Sequence, residues 1–443
     1  MTQPAAVQHD STAGYQTGSP ALVRAIGRWD LTAYVINCMI GAGIFGIPAS
    51  LYRLTGAYSV AAIIVAAAIV AIIGLCFAEV GSAFRSTGGP YLYARAAFGR
   101  VAGFEVGWLL WLARMTGYAA VVNLFVGYVA GFIPGVSSGI GRVSIVVAVV
   151  ALHTIVNLVG VREAALFTNA LTIGKLVPLV AFIIAGSFFV DSGRFIFASL
   201  PPIASGTSAI LFAIYAFSGF ELVGVPGGEI REPHRSIPFA LVAGIAAVTL
   251  VYAGVQYVCV GALPGLGDST RPLADAAARF APGASAAITL GAAISTLGAS
   301  HAIMLASPRI LLAMAEGGQM PAVLGRVHPQ FRTPYVAIGA NAVIVLTLTL
   351  ATTFVSALTI SVLIRVLTYL ASCVALPVLR RRRERVEGAF RLPGGDWIAL
   401  VATAVCIGLL ASRPPAEMIQ LAAAVGIGLV VLLLVRRSGT ASY

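Results

Sequence analysis

Apolar residues run along the chain in blocks of about twenty, parted by short stretches that hold nearly all of the charge, and each block is long enough to cross roughly 30 Å of hydrocarbon as a helix. Twelve spans are predicted, at residues 30–54, 58–84, 101–131, 142–159, 164–187, 207–229, 237–262, 284–315, 335–353, 356–379, 396–411 and 417–435. The longest connections, at 188–206, 263–283, 316–334 and 380–395, are too short for a soluble domain. Residues 1–28 are polar, rich in Gly, Ser, Thr and Pro, and without an apolar stretch of signal-peptide length, so a disordered cytoplasmic tail is expected there.

Two of the blocks are interrupted. The first contains Met39-Ile40-Gly41-Ala42-Gly43-Ile44-Phe45-Gly46-Ile47-Pro48, and the sixth contains Tyr215-Ala216-Phe217-Ser218-Gly219-Phe220-Glu221 followed by Gly224, Pro226, Gly227 and Gly228. Residues that lose backbone hydrogen bonds stand beside residues that tolerate unusual dihedrals, so each helix should unwind near its middle. Unwound backbone at that depth is tolerated where it lines a cavity or is buried in protein. Spans one and six each begin a set of five, and an odd number of crossings turns the second set over. That pattern is the signature of an inverted-repeat secondary transporter with its substrate between the breaks. The competing reading is close helix packing through small residues. The predicted organisation is therefore all-α, with a first repeat at 29–187, an inverted second repeat at 207–379 and peripheral helices at 396–435.

Composition sharpens this picture. Of 443 residues, 59% are hydrophobic and 10% charged, with mean hydropathy +0.95, which excludes an ordinary soluble fold. The net charge of +12 is not arranged as a basic stripe interleaved with aromatics, so nucleic acid is not an expected partner. With both termini placed in the cytoplasm, nineteen basic residues fall inside, six outside and three (Arg114, Lys175, Arg365) within spans. That bias predicts a multi-pass protein of the inner or plasma membrane with cytoplasmic ends. All five cysteines lie in spans, and no metal-ligand spacing or nucleophile–base pair is visible, so neither a metal, an organic cofactor nor an enzyme is expected.

Half-helix ends supply the expected chemistry. N–H groups at Ala42, Gly43 and Ile44 face an anion, whereas carbonyls at Met39, Ile40, Phe217 and Ser218 face a cation. A free amino acid carries both charges on one carbon. The candidate substrate-binding residues are Met39, Ile40, Gly41, Ala42, Gly43, Ile44, Tyr215, Phe217, Ser218, Gly219 and Phe220. Side-chain preference is not legible, since Tyr215, Phe217, Trp108 and Trp111 suit either apolar selectivity or gating.

The same residues resemble the amino acid-polyamine-organocation (APC) superfamily, whose first span carries a GSGIF-like break, here Gly41-Ala42-Gly43-Ile44-Phe45. Gly88-Gly89-Pro90-Tyr91-Leu92-Tyr93-Ala94-Arg95, Glu229-Ile230-Arg231-Glu232-Pro233-His234-Arg235-Ser236-Ile237-Pro238, and Pro308-Arg309 with Ala313 to Pro321 are similar to its loops after spans two, six and eight. The resemblance implies a ten-helix core plus two peripheral helices, and amino-acid or amine transport by alternating access. Its common Ser is Ala42 here, so a hydroxyl for the carboxylate is missing. Residues 132–141 lack the cysteine that links some members to a heavy chain, so that partner is not expected.

Lys175, the single lysine beside 27 arginines, sits within span five. An ionisable group there is a functional candidate by default, and a lysine can lose its proton when desolvated. The resemblance supports proton coupling, because proton-coupled members place a fifth-span lysine against the first-span break; the alternative is snorkelling or helix pairing. Ser300 is its candidate partner by the same analogy. Glu221 matches the Gly-x-Glu of exchangers and is either proton-sensitive or a structural bond to freed backbone. Arg365, Arg114 and Glu105 are expected to pair with one another or with carbonyls, the alternative for Arg365 being an acidic substrate. His153 and His301 are expected to be packed core residues. Proton-coupled amino-acid import is the leading expectation, and amino-acid or amine exchange the second.

Overall fold

The computed structural model describes residues 26–41, 43–84, 89–133, 135–159, 176–197, 199–224, 230–382 and 390–439. The first predicted span forms two helices, α1 (Arg28–Met39) and α2 (Gly43–Thr55). They are followed by α3 (Ser59–Ser82), α4 (Pro90–Phe98), α5 (Arg100–Val129), α6 (Gly139–Val159) and α7 (Leu176–Ser187). Span six is α8 (Ile203–Phe217) with a separate 3₁₀ turn, Phe220–Gly224. Then come α9 (Pro233–Ala262), α10 (Pro272–Ala277), α11 (Ala284–Glu316), α12 (Tyr335–Ala351), α13 (Phe354–Arg381), α14 (Gly395–Ala411) and α15 (Pro415–Gly439). Every predicted span contains one of these helices, although the fifth is described only from Leu176.

Among the described residues, eight helical stretches are long and apolar enough to cross a membrane, and α7, α12 and α14 are shorter apolar helices. The short α4 and α10 were not expected. Nine and six residues are too few to show a helical period, though each opens on a proline at its first turn, Pro90 and Pro272, where a missing N–H costs nothing. Residues 1–25 lie outside the described chain. From Ile26 onward the backbone is engaged, since Ile26 bridges Ile230 and its carbonyl accepts from the Arg231 N–H at 2.8 Å.

The bundle is built around α5. In its most apolar window 72% of residues are buried, against 28% in α6 and 22% in α15, so α5 is central and those two face outward. It packs on α11, α12 and α13, while α3 packs on α8 and α9, α1 on α9, and α2 on α8. The largest fully buried side chains include Tyr93, Tyr118, Tyr128, Tyr252 and Tyr369. A buried tyrosine needs a partner for its hydroxyl; Tyr128, Tyr252 and Tyr369 meet one at the breaks or beside them, and Tyr118 meets His153 of α6.

Candidate functional site between two broken helices

α1 ends at Met39 and α2 opens at Gly43, while α8 ends at Phe217 and gives way to Ser218, with extended backbone, and Gly219, with φ +122°. The two interruptions touch. A β-carbon on Gly219 would overlap the Cys38 carbonyl group, lying 2.6 Å from its carbon and 3.1 Å from the Met39 nitrogen. A β-carbon on Gly43 would lie 3.0 Å from the Ala216 Cα. Glycine at both positions is thus what lets one backbone approach the other.

Each interruption leaves polar groups without helical partners, by geometry. The N–H groups of Gly43, Ile44 and Phe45 open α2, and no N–H of Pro48 exists to meet the Ile44 carbonyl. At the other ends, Gly41 N–H turns back onto the Met39 carbonyl at 2.8 Å, and Ser218 bonds the Tyr215 carbonyl through its N–H (3.0 Å) and its hydroxyl (2.6 Å). Side chains from elsewhere complete the frame. The Tyr252 hydroxyl lies 2.7 Å from the Met39 carbonyl oxygen and 3.0 Å from that of Ala216, so one proton on α9 is shared by both broken helices. The Tyr128 hydroxyl donates to the Phe45 carbonyl at 2.7 Å. Gln256 donates to the Pro48 carbonyl (3.2 Å) and to the Ser59 hydroxyl oxygen (2.9 Å). Between α2, α8 and α9 a small cleft remains, lined by Ile44, Pro48, Ala216, Phe217, Tyr252 and Gln256.

Of the expected site residues, Met39, Ile40, Gly43, Ile44, Tyr215, Phe217, Gly219 and Phe220 come together at this contact and are all buried, with the half-buried Gly41 and Ser218 beside them. Phe217 packs on the Tyr252 ring at 5.1 Å, and Phe220 on Phe77 and Tyr369 at 5.5 and 5.0 Å. Ala42 and Lys175 lie outside the described residues. Ser300 is buried and its hydroxyl bonds within its own helix, to the Thr296 and Leu297 carbonyls at 3.0 and 2.9 Å. Trp108 and Trp111 are occupied elsewhere, donating to the Ala424 carbonyl (2.9 Å) and to Asn341 Oδ1 (3.0 Å), which ties α5 to α15 and α12.

Glu221 is 1% exposed and held from three sides. It accepts from the Gly219 N–H at 2.7 Å, from the Tyr369 hydroxyl at 3.1 Å and from the Arg365 guanidinium. Arg365 therefore finds its partner across the bundle in Glu221 and not in Arg114 or Glu105. Arg114, one turn before Gly117 on α5, faces the same cluster, with Arg365, Glu221, Tyr34 and Cys38 as its electrostatic neighbours. The carboxylate of Glu105 lies against Gly428 of α15, and its oxygens have no hydrogen-bond partner among the described residues. His153 meets the Tyr118 hydroxyl through Nδ1 at 3.0 Å and His301 ring to ring at 5.0 Å, both imidazoles buried as expected of core residues.

Tyr128, Tyr252, Gln256 and Tyr369 carry the frame and were missed by sequence reasoning. The available signal was a hydrogen-bonding side chain deep in an otherwise aliphatic block, most clearly Gln256 in Val255-Gln256-Tyr257-Val258.

The comparison with known sequences agrees with this arrangement: residues 26–432 match the family described as amino acid permease. The chain belongs to that family. The permease is 26% identical to the methylthioribose transporter of Bacillus subtilis (strain 168), over 96% of each chain. It is 27% identical to the serine/threonine exchanger SteT of the same organism, over 89% of this chain and 92% of the relative. It is 24% identical to the branched-chain amino acid permease BcaP, again of that organism, over 95% of each. The resemblance read from the first-span break is borne out, and the permease is a multi-pass membrane protein of a family that moves small molecules. Its motif-bearing loops also meet: Tyr91 of α4 donates to Gln319 at 2.9 Å, and the Tyr93 hydroxyl abuts Gly81 and Gly224.

Proposed function

We propose that the permease imports amino acids by alternating access, binding the zwitterion where the two broken helices meet. The observation that carries this reading is the contact itself: four half-helix ends converge, with donors at the start of α2 and carbonyls at the ends of α1 and α8. The α-carboxylate sits on the N–H groups of Ala42, Gly43 and Ile44, and the ammonium faces the carbonyls of Met39, Ile40, Phe217 and Ser218. Packing supports an inverted repeat of 29–187 and 207–379. Spans five apart pack together, α2 on α8, α3 on α9 and α5 on α11, and the crossed pairs α1 with α9 and α8 with α3 exchange under the same operation. The arginine bias favours both termini in the cytoplasm.

Uptake is coupled to protons through Lys175, whose charged form holds the first break and whose neutral form releases it. Exchange is the second reading, favoured by the position of Glu221 directly after the Gly219 break, where a change of protonation would loosen Arg365, Tyr369 and the Gly219 N–H together. Reconstitution in liposomes separates them. With a panel of radiolabelled amino acids, proton-coupled import gives accumulation under an inward proton gradient that a protonophore abolishes. Exchange gives uptake that requires internal substrate and ignores the gradient. If no amino acid moves or exchanges under either condition, the proposal fails.

A further inference from the structure

Six arginines gather where three predicted spans reach one face of the bundle. α5 opens at Arg100, α13 ends at Arg381 and α14 opens at Gly395, with α4 packed on α5 and α13. The Arg382 guanidinium donates to the Ala96 carbonyl at 2.6 Å, which sets it beside Arg95 on the last turn of α4. Arg380 donates to the Leu392 carbonyl at 2.8 Å, which brings in Arg391. Of the six, Arg380 alone is in an ion pair among the described residues, and it takes both Glu79 and Asp396. Glu105, further along α5, is turned to Gly428 of α15. The segment 383–389 adds Arg383 and Arg385 against Glu384 and Glu387, so by sequence its charge cancels. The charges of Arg95, Arg100, Arg381, Arg382 and Arg391 remain without an acid, and all five side chains are exposed.

What stands beside these arginines tells which anion they suit. Phe98 and Val101 flank Arg100 and are 40% and 42% exposed, and Trp397, next to the Asp396 that Arg380 holds, is 74% exposed. An exposed tryptophan at the end of a span marks the boundary between hydrocarbon and water. Guanidinium groups at that level meet phosphate, which they grip through paired N–H bonds. A soluble phosphate would use the arginines and leave the apolar side chains bare. A phospholipid uses both, with its phosphodiester on the guanidinium groups and the first carbons of its chains on Phe98, Val101 and Trp397.

We propose that this patch is a binding site for the headgroup of an anionic phospholipid, held at the junction of α4, α5, α13 and α14. The like charges that the fold brings together there repel one another, and a bound phosphodiester converts that repulsion into a tie between the helix ends. A zwitterionic lipid offers the same phosphate with a cation attached, so it should bind more weakly. The site lies outside the contact of the two broken helices and does not depend on which substrate is carried there.

The test is native mass spectrometry of the full-length permease in a neutral detergent, titrated with phosphatidylglycerol or with phosphatidylcholine of the same chains. The constant read is that of the first lipid bound. Wild-type protein should hold phosphatidylglycerol about tenfold or more tightly than phosphatidylcholine. Arg382→Gln with Arg391→Gln should weaken the anionic lipid by about fivefold or more and leave the zwitterionic one unchanged. Arg235→Gln with Arg326→Gln removes the same charge from two other exposed positions and should keep the preference. If the first double variant does not fold, Arg95→Gln with Arg100→Gln, which leaves the Arg382–Ala96 bond intact, is measured in its place. Equal binding of the two lipids by wild-type protein overturns the proposal without any variant. Equal loss in the patch and control variants also overturns it, since it marks the general positive charge of the protein. Displacement of phosphatidylglycerol by inorganic phosphate at the same concentration overturns it in favour of a soluble-anion site.

Discussion

Gly219→Ala adds a single methyl at the point where the two interruptions touch, and the structure sets its cost. At φ +122° the position belongs to a region occupied almost only by glycine, which costs an L side chain about 1–3 kcal/mol. The methyl would also stand 2.6 Å from the Cys38 carbonyl carbon, so backbone must retreat by about 0.5 Å or more, an overpacking cost of about 1–3 kcal/mol. Together the loss is about 2–6 kcal/mol. Gly265→Ala is the control. It has φ +69° with nothing within 4 Å of the added carbon, so it carries a backbone penalty of about 1–2 kcal/mol and no clash. The assay is thermal unfolding of both variants in one detergent, followed by substrate binding on the folded fraction. Gly219→Ala should lose at least twice the stability of Gly265→Ala and bind substrate weakly, because the α1 and α8 carbonyls are forced apart. If the two variants unfold together and Gly219→Ala binds as wild type does, the breaks do not meet at Gly219 and the zwitterion site is elsewhere.

Lys175→Ala and Lys175→Arg should both abolish accumulation driven by an inward proton gradient while leaving counterflow, since neither side chain alternates between charged and neutral; gradient-driven uptake by the alanine variant would transfer coupling to Glu221. Tyr252→Phe should cost about 1–2 kcal/mol in unfolding measurements, because the Met39 and Ala216 carbonyls lose a shared donor at the breaks. At the other end of α13, Arg380 donates two bonds to Glu79 at 2.7 and 2.6 Å and one to Asp396 at 3.1 Å. Glu79 is 10% exposed and Asp396 65%, so Glu79→Gln, which replaces the bidentate partner and leaves Arg380 on Asp396 alone, should cost about 1–3 kcal/mol, and Asp396→Asn less than about 1 kcal/mol; similar losses would refute this ranking of the two partners. Decarboxylated analogues should compete far more weakly than the parent amino acids, as they leave the α2 donors unpaired, and equal competition would favour amine exchange.

The breaks were legible because their cause is local. Gly41, Gly43 and Pro48 in one block, and Ser218 and Gly219 in the other, weaken a helix wherever it packs, so α1/α2 and α8 with its 3₁₀ turn follow from composition at those positions. The buried charges were legible only as candidates. A charge in an apolar block announces that it needs a partner and not which one, and Glu221 and Arg365 are 144 residues apart. Tyr252 and Gln256 were less legible still, since a tyrosine or glutamine in a span reads as ordinary amphipathic packing until the carbonyls it serves have been brought beside it.

The carbonyl frame connects these two kinds of signal. A helix that unwinds in hydrocarbon exposes several polar groups at several kcal/mol each, more than glycine flexibility alone can offset. Donors from a neighbouring helix must therefore accompany each break. On α9, Tyr252 and Gln256 stand four residues apart, one turn of one face, and reach Met39, Ala216 and Pro48. A helix whose polar residues repeat at that interval beside two interrupted spans is the expected counterpart of the interruptions. The same face fixes how far they can move, because separating α1 from α8 requires the Tyr252 hydroxyl to give up one of its two carbonyls. Under the alternating access proposed above, opening would proceed through α9 choosing between the two broken helices, and Tyr252→Phe should then change the rate of transport as well as stability.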